Sequence, residues 1–139
     1  MRAARSVASD VLRRLGLADR ANMLARSLTI AGKKRLEVAR ALAARPKLLL
    51  MDEVLAGLNP TEIAQMIELV RKIRDSGISV FMIEQLMQAI MSPSDRVVVL
   101  NLGRKLAEGR PDEIVHDSNV IEAYLGFPDI VDRLMTAHS

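Results

Sequence analysis

The sequence predicts an α/β layer fold built on a parallel sheet, and three features carry that reading. Leu48-Leu49-Leu50-Met51 is an unbroken apolar run set between Pro46 and the acids Asp52 and Glu53, as expected of a strand buried on both faces. Ile78 to Ile83 is a second apolar run rich in strand formers. Between them, Ile63, Met66, Ile67 and Val70 recur at helical spacing. Strand, helix and strand at this distance form the crossover unit that joins parallel strands.

The elements follow in chain order. Arg2 to Leu15 reads as an amphipathic helix with Val7, Val11, Leu12 and Leu15 on one face, ended by Gly16. Asp19 to Ser27 is a polar connection with a helical turn. Lys33 to Ala44 is a second helix, stopped by Pro46. After the first strand, Gly57 and Asn59-Pro60 mark a turn, and Pro60 or Thr61 opens a helix to about Asp75. Ser76-Gly77 closes it before the second strand. Gln85 to Met91 reads as helical, Val97 to Leu100 as a third strand, and Gly103 as the turn into a fourth, Lys105 to Glu108. Pro111 opens a short helix, and Asn119 to Leu125 forms another.

Composition narrows the classes. A chain of 139 residues suits one domain. With 50% hydrophobic and 27% charged residues, it reads as globular rather than disordered. Net charge is only +3. The basic clusters, Arg2, Arg5, Arg13 and Arg14, then Lys33, Lys34 and Arg35, read as solvated helix faces. Aromatics are 2% of the chain, too few for a base-stacking surface, so no nucleic-acid partner is expected. The absence of Cys removes disulfides and thiolate metal sites and fits a reducing cytoplasm. His116 and His138 stand apart from other candidate ligands, and the apolar runs are too short to span a bilayer.

Two segments could carry chemistry. The first is the strand ending in Asp52-Glu53. Ligands of open parallel sheets sit beyond the carboxyl ends of the strands, and adjacent strand positions point to opposite faces, so two neighbouring carboxylates can divide labour. One can serve Mg²⁺ and the other can orient an attacking water. This is the Walker B pattern of nucleotide hydrolases, although acids also end apolar strands simply because solvent begins there. The second segment is Leu28-Thr29-Ile30-Ala31-Gly32 leading into a basic helix with Ala39-Arg40-Ala41-Leu42. A hydroxyl, small residues and a helix start suit a phosphate. A simple Thr N-cap accounts for the same residues.

In order along the chain, these segments resemble the ABC-transporter ATPase family, in which a signature loop and helix lead directly to Walker B. Ala56-Gly57-Leu58-Asn59-Pro60 resembles the D-loop, and Phe81-Met82-Ile83-Glu84-Gln85 stands at the switch loop. Ser94 to Leu100, Gly103 and Ala107-Glu108-Gly109 resemble the strand pair that follows. The branch most similar is that of the branched-chain amino-acid importers, whose members share the D-loop and an ending like Val120-Ile121-Glu122-Ala123-Tyr124-Leu125-Gly126. The resemblance runs from about Arg5 to Gly126.

The resemblance implies an incomplete P-loop NTPase fold, with helices flanking a parallel sheet that lacks the P-loop strand. It implies ATP and Mg²⁺ as ligands of the complete family protein, with Thr29, Ala31 and Gly32 touching the γ-phosphate of a nucleotide held by the opposite subunit. Asp52 would serve the metal, Glu53 would be the general base, Asn59 would belong to the D-loop, and Gln85 would stand where a His senses the γ-phosphate. Residues 1–45 would end the helical subdomain, 46–110 would form the Walker B, D-loop and switch core, and 111–139 the C-terminal helices and tail. Partners would be a second ABC ATPase subunit, identical or not, and membrane permease subunits at the cytoplasmic face of the membrane.

Departures from the family pattern shape the remaining expectations. No G-x-x-x-x-G-K-[ST] occurs in these 139 residues, so this chain alone is expected not to bind Mg-ATP tightly. Ala31 replaces a usual Gly, Val54 a usual Pro, and Gln85 the His; a Gln donates a hydrogen bond but cannot become cationic. The family's P-loop strand lies beside the strand matching Ile78–Ile83, which here either presents an open edge or is paired by Val97–Leu100. The reading is a truncated ATP-hydrolysing subunit of an ABC importer. The alternative is a non-enzymatic module that pairs with a complete ATPase subunit and supplies only a signature half-site. A DNA-maintenance ATPase would need long coiled coils, and no sustained heptads occur.

Overall fold

A computed structural model describes residues 2–125 of the chain. Gly126, His138 and the rest of the expected tail lie outside the described residues. The chain divides into two compact units, the first ending at Gln85 and the second beginning at Leu86.

In the first unit, helix α1 (Arg2–Arg14) packs against α2 (Ile30–Ala43). Gly16 ends α1 as expected. At φ 67° it sits in the left-handed region, the Leu17 amide reaches back to the Leu12 carbonyl at 2.8 Å, and Gly16 bonds Arg13 at 3.1 Å. That pair of bonds is a Schellman cap, which satisfies the carbonyls a helix end leaves unpaired. Short 3₁₀ turns at Ala18–Arg20 and Ala25–Ser27 supply the expected polar connection. Helix α2 starts three residues before Lys33, because the Thr29 hydroxyl accepts the Gly32 amide at 3.1 Å and so fixes the N-cap.

Strand β1 (Leu48–Asp52) pairs in parallel with β2 (Ser79–Ile83), joined by helix α3 (Pro60–Asp75). Asn59 and Glu62 form a capping box at the start of α3, and Gly77 at φ 92° lets the chain leave its end. Met66, Leu69, Val70 and Ile73 are the buried face of α3, and the helix packs on β2.

The expectation that β1 is buried on both faces is not met. Leu49 and Met51 are buried, but Leu48 and Leu50 are 54% and 69% exposed. Alternate residues of a strand point to opposite faces, and only one face of this two-stranded sheet is covered by the unit's helices. Phe81, the register partner of Leu50, and Ile83 lie exposed at 57% and 51%. Among the described residues β2 pairs only with β1.

In the second unit, helix α4 (Met87–Met91) begins two residues later than expected, after an extended Leu86. Strands β3 (Val97–Asn101) and β4 (Arg104–Gly109) form an antiparallel hairpin with a register shift after Val99. Its turn residues, Leu102 and Gly103, both have positive φ (48° and 74°), the requirement of a type I′ turn. Helix α5 (Pro111–Ile114) and helix α6 (Ser118–Val120), which runs into a π-helical turn at Ile121–Leu125, complete the unit. Val97, Val99, Ile114 and Val120 form its core. No helix of the described residues is long and apolar enough to cross a membrane.

Candidate functional site

All the sequence-derived site residues fall in the first unit, and three segments meet around Glu53. Asp52 is the last residue of β1, exposed, opposite Ile83 in the register. Glu53 then turns the chain sharply. Its φ of 47° is in the left-handed region, uncommon for a residue with a side chain and a conformation that persists only where neighbours enforce it.

The enforcing contacts are visible. The Glu53 amide donates to the Ile83 carbonyl at 2.9 Å, extending the parallel ladder by one bond. The Glu53 carbonyl accepts from the Ala56 amide at 3.2 Å and from Lys34 Nζ at 3.3 Å. Its side-chain Oε1 accepts from Gln85 Nε2 at 2.7 Å. Inside the turn, Val54 and Leu55 are buried, and the Leu55 amide donates to Glu84 Oε1 at 2.9 Å. Partial burial is the main cause that pushes the Glu84 carboxyl above its ordinary value, with the negative charge of Glu53 adding to it; the Leu55 amide and Lys34 act in the opposite direction.

The structure therefore brings Glu53 and Gln85 into contact, and Thr29 and Gly32 into one N-cap. Gly32 is buried, and a Cβ there would come within 3.2 Å of Leu28 Cβ, so the position favours Gly for packing. Ala31 lies in the first turn of α2, whose amides carry the partial positive end of the helix dipole. Asn59 is committed to its capping box: its Oδ1 accepts the Glu62 amide at 2.9 Å and its own amide donates to Glu62 Oε2 at 3.0 Å. Gly57, at φ 79°, approaches the start of α2, since a Cβ there would lie 3.8 Å from Ile30 Cγ2.

Sequence reasoning assigned no role to Lys34, Leu55 or Glu84. For Glu84 a signal existed, because it ends an apolar strand as Asp52-Glu53 does. For Lys34 and Leu55 there was none, since each bonds a partner distant in sequence, Lys34 through its side chain to the Glu53 carbonyl and Leu55 through its backbone amide.

As a metal site, the donor set is minimal. Among the described residues no group of three or more His, Cys, Asp or Glu converges. Asp52 offers an exposed hard oxygen, which fits Mg²⁺, an ion commonly held by one or two carboxylates together with water and substrate phosphates.

A solved ATP-binding cassette of an ABC transporter, in its ADP conformation, superposes with a TM-score of 0.80 at 28% identity, covering 89% of this chain and 50% of that one. CbiO1 from Clostridium perfringens, part of the cbiONQ ABC transporter complex, gives 0.76 at 26% identity, covering 94% and 53%. In sequence, the ATP-binding protein LivG of high-affinity branched-chain amino acid transport from Salmonella typhimurium is 41% identical over 120 residues, 86% of this chain and 47% of LivG. BraF of Pseudomonas aeruginosa, of the same description, is 40% identical over 126 residues, 90% and 49%. The chain spans about half the length of the curated relatives it matches. A family model described as "Branched-chain amino acid ATP-binding cassette transporter" matches residues 104–126.

The chain thus has the ABC ATPase form of the P-loop NTPase fold. Within that class its sequence is similar to the ATP-binding proteins of branched-chain amino-acid transport over about half their length, and its residues 104–126 match a family model of that description.

Proposed function

We propose that these residues supply the signature, Walker B, D-loop and switch segments of an ATP-hydrolysing subunit of an ABC importer, with branched-chain amino acids as cargo. The observation that carries the reading is the 2.7 Å bond from Gln85 Nε2 to Glu53 Oε1. It joins the residue at the switch position to the residue at the base position, across 32 positions of sequence. The names of the relatives support the cargo.

In this reading Glu53 orients the attacking water and takes its proton. Gln85 holds the Glu53 carboxylate in place and offers a neutral amide donor near the γ-phosphate. Asp52 would hold Mg²⁺, which supplies charge neutralisation on the phosphates when bound. Thr29, Ala31 and Gly32 present the N-terminus of α2 to the γ-phosphate of a nucleotide held by a second ABC ATPase subunit, identical or different. The P-loop comes from residues outside these 139. Membrane permease subunits are the other partners, placing the protein on the cytoplasmic face of the membrane. Residues 1–45, 46–110 and 111–139 serve as the end of the helical subdomain, the catalytic core and the C-terminal helices and tail.

The test joins this chain to a matching P-loop-bearing half and measures ATP hydrolysis. Turnover that disappears in Glu53→Gln is the expected result. An unchanged rate in that variant removes Glu53 from the chemistry. Tight ATP binding with no turnover at all would favour the non-enzymatic module, which supplies only a signature half-site.

A further inference from the structure

We infer that Glu84 is a positioning residue for Glu53, acting through the backbone amide of Leu55. The inference deepens the reading that Glu53 is the general base and rests on it.

The geometry is specific. The 53–55 turn leaves the β1 ladder after the bond from Glu53 to Ile83, and beyond it the Leu55 amide is taken by a side chain rather than by a strand or helix carbonyl. Glu84 Oε1 takes that amide at 2.9 Å from the residue directly after β2. The turn and the end of β2 are therefore tied by a side chain where the sheet ladder stops.

The tie lies between two others that fix Glu53 itself. The residue before Glu84, Ile83, holds the Glu53 amide, and the residue after it, Gln85, holds the Glu53 carboxylate. Three consecutive residues thus grip one turn at three points. Glu53 keeps its left-handed backbone at φ 47° only while the turn stays in register with that segment. The Leu55 side chain is 2% exposed, so the turn is also anchored from within the core. Release of the Leu55 amide would let residues 53–55 rotate about that anchor and would part Glu53 from Gln85. Catalytic groups displaced by about 1 Å can lose about a hundredfold in rate, so a small rotation matters.

The experiment is NMR amide exchange on the 139-residue chain, with Glu84→Ala and Glu84→Gln. In Glu84→Ala, Leu55 should exchange about tenfold faster or more. The side-chain amide resonances of Gln85 should move toward those of a free glutamine. Val70 and Ile73, in the buried face of α3, report that the fold is intact. Glu84→Gln keeps an accepting oxygen and should preserve both signals, also if the Ala variant fails to fold. Unchanged Leu55 protection in a folded Glu84→Ala overturns the inference. So does a released Leu55 with unmoved Gln85 resonances, or a Glu84→Gln chain that loses Leu55 protection. Neither readout uses ATP, so failure here is separable from failure of the hydrolase reading, which Glu53→Gln decides.

Discussion

Gln85 donates its side-chain amide to the Glu53 carboxylate at 2.7 Å. This bond orients the Glu53 carboxylate and occupies one of its oxygens with a neutral donor. At the same position a His could donate to the γ-phosphate and change its protonation, and charged donors make hydrogen bonds roughly twice as strong as neutral ones. In a chain joined to a P-loop-bearing half, Gln85→His should raise turnover by about tenfold or more with little change in nucleotide affinity. That is the pattern of an interaction made mainly in the transition state. Steady-state kinetics with a separate nucleotide titration checks it, and equal turnover in the two proteins removes Gln85 from the switch role.

The 139-residue chain by itself contains no Gly-rich phosphate cradle, no P-loop Lys and no following Ser or Thr. Calorimetry on the isolated chain should show no micromolar Mg-ATP binding, and a micromolar isotherm would contradict the assignment of its parts.

Glu84 gives stability a pH dependence of defined sign. Its carboxyl is raised above 4.5, first by burial and then by Glu53, against the lowering effects of the Leu55 amide and Lys34. The folded chain therefore binds this proton more tightly than the unfolded chain. The contribution is fully present below about 4.5 and is lost as pH rises through the raised value. Glu84→Gln removes the titration and keeps an acceptor for Leu55. Urea unfolding at a series of pH values should show stability falling less with pH above 4.5 in the variant than in the parent. Identical slopes would contradict the environment described for Glu84.

The uncovered face of the β1–β2 sheet should drive association of the isolated chain. Leu50 and Phe81 are register partners and both are exposed, with Leu48 and Ile83 beside them on a sheet whose β2 edge has no strand partner among the described residues. Exposed apolar strands of this kind pair or aggregate. Leu50→Lys should shift sedimentation toward monomer while changing unfolding free energy by less than about 0.5 kcal/mol. A parent chain that stays monomeric at high concentration would contradict this.

Much of the fold was legible because the signals were local. The 3.6-residue period of Ile63 to Val70, the stop at Gly16 and the Asn59-Pro60 start each specify their element through short-range chemistry. The departures came from contacts over distance or from side chains that compete with the backbone. Thr29 moved the start of α2 forward by capping it, and Leu86 stayed extended where a helix was expected. An apolar run such as Leu48 to Met51 states that a strand is apolar; it cannot state how many helices cover it. In the site, the types and order of Asp52, Glu53 and Gln85 were readable. The left-handed turn at Glu53 and the roles of Glu84 and Lys34 were not, because they depend on which backbone groups the turn leaves unpaired.

The most direct test of the account is Glu53→Gln in the joined protein. The change keeps size and hydrogen-bonding shape while removing the carboxylate that, in the proposed function, accepts the proton of the attacking water. Steady-state ATPase measurement should show turnover reduced by about a hundredfold or more with ATP still bound. Turnover within a fewfold of the parent would show that Glu53 is not the base, and the functional assignment of the site would fall with it.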